Sequence, residues 1–437
     1  MPKALPFVRF LARAASRLFY RVDCASGPPV SGPALLLPNH PNALLDPALI
    51  WATAGRDVRF LAKSTLFDGP LRFVVAGSGA IPVYRKLDQG ADVSRNTETF
   101  AAVDAALARG DAICIFPEGV SHSTGRLVPL RTGAARMALS AERAGTRVKL
   151  VPVGLNFDRK TSFRSRVTIV YGEPFTCEDL ADASAHPDGA RELTDRIAMR
   201  MRRLLIEADS KSDAAIVDRV DRMYTAARGI GDNPQDRIER RRIIAAGIEQ
   251  LRAADPQRYD EILLRLRRYQ QRLERFGIRD RHLDWKVSRG DAAWFAMREG
   301  LFATVLAPLA VAALVLFAVP YRVTGYMARR FTREPDVAAT AKVVGGFLIY
   351  TTWLLVLAAA AALAGSLRAA LLMLMFLPIL AIAGLFAIER ELAVVDAVRA
   401  WFLLTRTKAD TRERLRRHRS ELAEVLDEVN QWMEEKA

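Results

Sequence analysis

Between Leu301 and Ile388 the chain carries three apolar runs, Leu301–Val319, Val343–Leu363 and Ala369–Ile388. At about 1.5 Å per helical residue the first measures roughly 28 Å, just enough for a hydrocarbon core of about 30 Å. Three such runs in succession do not suit the buried core of a soluble fold, so the pattern predicts a membrane region at 296–390. Pro308 lies inside the first run and Pro320 at its end. The second and third are joined by the tight Gly365-Ser366-Leu367-Arg368 connection. Arg322, Arg329, Arg330, Arg333 and Lys342 follow the first run, and the tail is rich in arginine from Arg406 through Arg419. If all three runs crossed, one of these basic stretches would lie outside, against the positive-inside preference. The expectation is a two-span hairpin over Val343–Ile388 with Arg368 near the outside. The first run is then re-entrant or interfacial, and both termini are cytoplasmic.

With 437 residues there is room for two or three domains. A chain that is 51% hydrophobic and still 26% charged suits a soluble domain fused to a membrane segment. The net charge of +15 implies an anionic partner, either a membrane face or a nucleic acid. Cys24, Cys114 and Cys177 are too far apart for a disulfide framework or a metal pattern and fit a reducing compartment.

Residues 1–22 lack the uninterrupted apolar core of a signal peptide. Arg9, Arg13, Arg17 and Arg21 instead fall on one helical stripe, with Phe7, Phe10, Leu11, Leu18 and Phe19 mainly away from it. This predicts an amphipathic helix lying on an anionic membrane surface; a basic helix packed on its own domain shows the same pattern. Residues 191–295 are charged and helical. Asp255-Pro256 opens a heptad stripe of Ile262, Leu266, Tyr269, Leu273 and Phe276, expected to pair with Ile238–Leu251 as an antiparallel hairpin. The charges there read as a solvated face, since no aromatic interleaving or finger motif supports nucleic-acid binding. Residues 391–437 form a basic helical tail.

From Ala34 to Tyr171 strand-like and helical stretches alternate. Strands are expected at Ala34–Leu37, Val58–Ala62, Ala80–Tyr84, Ala112–Phe116, Lys149–Gly154 and Val167–Tyr171, and helices at Ser94–Ala108 and Thr132–Ala144. The fold class is α/β, a mixed sheet flanked by helices over 23–190, followed by the helical hairpin region and C-terminal membrane helices. Functional residues then gather in loops at strand ends. Leu35–Asp46 reads LLLPNHPNALLD: a buried strand, then Asn39-His40-Pro41-Asn42, then a helical start with Asp46. Pro41 biases His40 to an extended conformation ahead of the helix, so Asp46 can turn back to its ring. Carboxylate, imidazole and hydroxyl in series is the logic of acyl-transfer sites. A His capping a helix with an Asp in its first turn gives the same letters. Three further blocks follow: GAIPVYR ending in Arg85, FPEGVSHS with Glu118, Gly119 and His122, and VPVGLN with Pro152 and Asn156. Together they offer a base, an orienting carboxylate, an arginine fork for phosphate and a second carboxylate for hydroxyls. His122 reads as a second base or, more readily, as a residue that caps a turn or hydrogen-bonds locally, and Lys63, after a strand, as a phosphate contact or a solvated lysine.

The order NHPNALLD, GAIPVYRK, FPEGVSHS, VPVGLNF over about Ala34–Phe175 resembles the glycerophospholipid acyltransferase family. The resemblance implies an acyl group moved from acyl-CoA or acyl carrier protein, as co-substrate, to glycerol 3-phosphate or a lysophospholipid such as 1-acylglycerol 3-phosphate. It implies His40 as base and Asp46 as its partner. Arg85 would bind the acceptor phosphate, Glu118 and Gly119 the glycerol part, and Pro152 would shape the donor side. Asn39 and Lys63 join the substrate-binding candidates. Two departures stand out. Five residues, where the family has four, separate His40 from Asp46, and the extra one must be absorbed in the Pro41-Asn42 turn. Val120 and Ser121 stand where the family has an arginine, leaving Arg126 or Arg131 to supply the charge. Both departures resemble the subgroup with fungal glycerol-3-phosphate/dihydroxyacetone-phosphate acyltransferases. No metal or other cofactor is called for. The expected partners are a phospholipid membrane, the thioester donor and the acceptor, without nucleic acid, at the cytoplasmic face. A catalytically silent membrane scaffold and a membrane-tethered nucleic-acid binder are the two readings from other classes.

Overall fold

The computed structural model describes residues 6–27, 31–68, 72–85, 93–177, 180, 187–208, 210–284, 289–332, 337–406 and 409–436; Arg333 lies outside them. The chain divides into two compact units, the first holding the sheet domain through Ala215 together with Asp232–Ala245.

In the first unit the elements are α1 (Pro6–Phe19), β1 (Tyr20–Cys24), β2 (Ala34–Pro38), α2 (Leu45–Thr53), β3 (Val58–Lys63), α3 (Arg72–Gly77), β4 (Ile81–Val83), α4 (Asn96–Ala108), β5 (Ala112–Cys114), α5 (Gly133–Arg143), β6 (Lys149–Phe157), β7 (Ser165–Tyr171) and α6 (Pro187–Arg202). One seven-stranded sheet has the order β1-β7-β6-β2-β5-β3-β4. Every neighbouring pair is parallel except β6 with β7. β2 is buried along its whole length, as a strand covered on both faces must be. Leu35, Leu37, Ile113 and Leu150 join the core under α4, α5 and α6. Leu36, Cys114 and Val151, one residue off, turn to the opposite face and are buried as well. The expected strands and helices are thus present in a mixed sheet. β1 is an addition, pairing with β7 at the far edge. The expected boundary at 190 falls inside α6, whose Leu193, Ile197 and Met201 belong to the sheet core.

The arginine stripe of the N-terminal helix faces its own domain. Arg13 Nε donates to Trp51 O at 2.7 Å and Arg17 Nη2 to Ala52 O at 3.2 Å, while Arg9 pairs with Asp57. The arginine stripe covers the last turn of α2, where orphan carbonyls and the negative end of the helix dipole sit. Phe7 and Phe10 face outward instead, 68% and 66% exposed.

In the second unit, α7 (Lys211–Arg228) and α8 (Pro234–Ala254) contribute their later parts, followed by α9 (Pro256–Arg275), α10 (Arg289–Phe331), α11 (Ala338–Leu363), α12 (Leu367–Arg406) and α13 (Ala409–Lys436). Asp255 caps α9 by accepting from Arg258 N–H at 3.0 Å, as its sequence implies. The antiparallel hairpin does not form. Asp255 alone separates α8 from α9, too little chain to reverse two helices. The stripe of Leu266, Tyr269 and Leu273 is buried, and α9 lies along α13. The later part of the basic tail, α13, is therefore packed on α9. Tyr224 Oη donates to Asp427 at 2.6 Å, and Arg419 Nη2 to Asp284 at 2.7 Å.

Among the described residues, three helical stretches, Leu306–Phe331, Ala338–Leu363 and Leu367–Arg390, are long and apolar enough to cross a membrane. α10 continues through both of its prolines, so the first run does not end at Pro320 as expected. Pro320 cannot donate to Leu316 O, four residues back. That carbonyl instead accepts from Trp353 Nε1 of α11 at 2.9 Å. Among apolar surroundings this keeps the backbone satisfied.

Candidate active site

Parallel pairing aligns the carboxyl ends of β2, β3, β4 and β5 along one sheet edge. The His40 loop, Lys63, Arg85 and the Glu118 loop all leave the sheet there.

His40 Nδ1 lies 2.8 Å from Asp46 Oδ2. The same oxygen accepts from Asn42 N–H at 2.7 Å. The extra residue is absorbed one step later than expected, in a turn closed by Leu45 N–H donating to Asn42 O at 3.1 Å. Ala43 takes a φ of 40°, in the left-handed region. Asp46 has no solvent exposure. Burial pushes its pKa up, opposed by the hydrogen bonds from His40 and Asn42. An ionised carboxylate only accepts, so the proton on the imidazole sits at Nδ1 and Nε2 keeps its lone pair. The ring stacks on Phe116 with centroids 3.9 Å apart. A left-handed Ala costs about 1–2 kcal/mol that glycine avoids, against about 0.4–1 kcal/mol of added chain entropy. Ala43→Gly is therefore expected to hold or slightly raise Tm without changing the site, measurable by thermal unfolding.

The Glu118 loop is tied to the His40 loop through backbone. His40 N–H donates to Glu118 Oε2 at 2.8 Å, and His122 N–H to His40 O at 3.1 Å. Glu118 is buried, and its Oε1, like Asp46 Oδ1, has no hydrogen-bond partner among the described residues. His122 Nδ1 lies 2.6 Å from Thr124 Oγ1, and its Nε2 is 3.0 Å from Glu118 Oε2 without hydrogen-bond alignment. Its hydrogen bond is thus to a residue of its own loop. Gly119 sits at φ 75°, and a Cβ there would lie 3.3 Å from Arg131 Cγ. Its carbonyl accepts from Arg85 Nη1 at 2.5 Å, which brings the second and third blocks together. Arg131 is exposed, its stem over Gly119, with its N–H donating to Pro117 O at 2.7 Å. Arg126 is half-buried in the same loop, its carbonyl accepting from Thr124 Oγ1. Lys63 ends β3 in register with Val83, two residues before Arg85.

Two candidates are occupied by the scaffold. Asn39 spends both ends of its amide on β6, accepting from Leu155 N–H at 2.7 Å and donating to Leu155 O at 3.2 Å. Pro152 is buried within β6 opposite Leu37, its carbonyl accepting from Gly172 N–H at 2.9 Å. Asn156 holds the segment after α6, donating to Leu204 O at 2.9 Å and accepting from Ile206 N–H at 3.0 Å. Residues absent from the sequence reading include Tyr20 and Lys160. Tyr20 Oη accepts from Asn42 Nδ2 at 2.6 Å and donates to Lys160 O. Cys114 is core, and burial pushes its thiol well up.

Comparison with known proteins agrees with the blocks. The family model described as Acyltransferase matches residues 20–156. Glycerol-3-phosphate O-acyltransferase 2 of Saccharomyces cerevisiae is 37% identical over 108 residues, 24% of this chain and 14% of the yeast protein. Glycerol-3-phosphate O-acyltransferase 1 of the same yeast is 32% identical over 125 residues, 27% of this chain and 16% of that protein. The chain thus spans a small part of these relatives. The crystal structure of the 1-acyl-sn-glycerophosphate acyltransferase of Thermotoga maritima is 17% identical with a TM-score of 0.33, covering 44% of this chain and 76% of its own. Residues 20–156 thus form an acyltransferase domain, similar to parts of the two yeast glycerol-3-phosphate O-acyltransferases.

Proposed function

We propose that the chain is a membrane-bound O-acyltransferase. It moves a fatty acyl group from acyl-CoA or acyl carrier protein to a hydroxyl of glycerol 3-phosphate or 1-acylglycerol 3-phosphate. The observation that carries this is the His40–Asp46 pair at 2.8 Å, set at the strand edge that also bears Glu118 and Arg85. His40 Nε2 takes the proton from the acceptor hydroxyl as its oxygen attacks the thioester carbonyl. Asp46 stabilises the imidazolium. The C–S bond then breaks, and the leaving thiolate takes the proton back from His40. Glu118 Oε1, buried and unpartnered among the described residues, is an acceptor for a second hydroxyl. The Arg85 guanidinium, beside Gly119, binds the acceptor phosphate. The acceptor is identified by offering acyl-CoA with glycerol 3-phosphate, dihydroxyacetone phosphate and lysophosphatidate in parallel to the protein in nanodiscs. Turnover of none of them, with acyl-CoA or acyl carrier protein, counts against the proposal.

The membrane region enters and leaves on one face in this reading. Helices before it and α13 after it pack into one body, through Tyr224–Asp427, Arg258–Glu428 and Arg419–Asp284. That packing supports an even number of crossings, hence two spans over α11 and α12 with the apolar part of the unbroken α10 interfacial. The basic flanks set that face as cytoplasmic, and the outward Phe7 and Phe10 of α1 offer it an apolar contact. In sealed right-side-out vesicles, a cysteine at Arg368→Cys is expected to react with an impermeant maleimide, and one at Asp410→Cys only after permeabilisation. Labelling of the tail from outside would contradict this topology.

A further inference from the structure

Lys160 belongs to none of the four blocks and yet touches two of them. It lies in the turn between β6 and β7. β6 runs parallel to β2, so this turn leaves the sheet at the edge where the His40 loop does. The turn is held from several sides. Arg159 N–H donates to Ser165 Oγ at 3.0 Å, and Ser162 N–H to Arg159 O at 3.0 Å. Arg164, at φ 57°, donates its N–H to Phe19 O at 2.6 Å.

From this base Lys160 Nζ donates to Pro41 O at 3.0 Å and to Ser123 Oγ at 2.7 Å, and reaches His122 O at 3.5 Å. Pro41 follows His40; His122 and Ser123 belong to the loop that carries Glu118. The Lys160 carbonyl accepts from Tyr20 Oη, which accepts from Asn42 Nδ2. Asn42 N–H in turn donates to Asp46. One residue therefore connects the base loop, the Glu118 loop and the turn that carries the orienting carboxylate. Without the ammonium, two carbonyl oxygens that now converge on one cation are left with their dipoles opposed.

We propose that Lys160 is a positioning residue that sets the register between the His40 and Glu118 loops. It rests on the acyl-transfer reading for its kinetic consequence. A displacement of about 1 Å at reacting groups costs on the order of 10² in rate.

The test compares Lys160→Met and Lys160→Arg with the wild type, full length in nanodiscs, by steady-state kinetics, thermal unfolding and amide hydrogen exchange. Lys160→Met is expected to lose roughly 10- to 100-fold in kcat while KM for donor and acceptor stays within about twofold. Lys160→Arg, which keeps the charge and donors, is expected to recover part of the loss. Exchange in 38–46 and 116–124 is expected to rise in the Met variant. Should Lys160→Met not fold, Ser123→Ala removes one partner alone and is expected to lower kcat a few-fold. A higher acceptor KM with kcat kept would make Lys160 a substrate contact and overturn the proposal. So would unchanged protection in both loops, a readout that stands even if no acyl transfer is found and the reading of the function fails.

Discussion

Replacing His40 by alanine is expected to lower kcat/KM by about 10²- to 10⁴-fold, the range a positioned general base supplies. The fold is expected to survive the change. What ties this loop to the Glu118 loop is backbone: His40 N–H on Glu118 and His122 N–H on the His40 carbonyl. Alanine keeps both. The lost packing is the ring stacked on Phe116, part-exposed at 18%, and Asp46 retains the Asn42 N–H as a donor. Thermal unfolding within a few degrees of the wild type, with turnover gone, separates loss of the base from loss of the fold.

Asp46→Asn is expected to cost about 10²-fold, less than a lost tautomer would. One oxygen, Oδ2, accepts from both His40 and Asn42 N–H. The Asn42 N–H selects the amide rotamer with its oxygen in that place, so Nδ1 still donates and Nε2 stays basic. The loss is the charge that steadies the imidazolium, a charge-assisted bond of about 1.5–3 kcal/mol. Asp46→Ala releases the ring as well and is expected to fall further. Stability shows the opposite face of the same burial. The Asp46 pKa is raised by desolvation in the folded state. Its contribution is therefore fully present below the unfolded carboxylate pKa and is lost as pH rises through the folded one. The Tm difference, Asp46→Asn minus wild type, is expected to grow between acid and neutral pH. A difference that shrinks over that range would mean the folded structure lowers this pKa.

The sheet was legible because its strands are short apolar runs stopped by glycine and proline, and four of them end in chemically distinctive blocks. β1 was not: Tyr20-Arg21-Val22-Asp23-Cys24 abuts a helix, is half polar, and becomes a strand only by pairing with β7. Periodicity found the arginine stripe of α1 but cannot say which side meets the protein; the free carbonyls of α2 decide that. The His40–Asp46 pairing was readable from local order, though the left-handed Ala43 that permits it was not. Asn39 looked like a ligand residue because it precedes His40, while its amide is consumed 116 residues away on Leu155. Lys160 was invisible for the same reason, being 119 residues from Pro41. In the membrane region, composition marked the helices, but Trp353 answering the carbonyl left by Pro320 is a contact between helices that no single run reveals.

The most direct test of the central claim is the initial rate of thiol release from acyl-CoA by the wild-type protein in nanodiscs, with and without glycerol 3-phosphate, beside His40→Ala. Release that depends on the acceptor is expected, with an acylated glycerol phosphate as product and a rate in the folded variant lower by at least about 10²-fold. Equal acceptor-dependent release by both proteins would contradict it, since the hydroxyl would then be activated by some group other than His40.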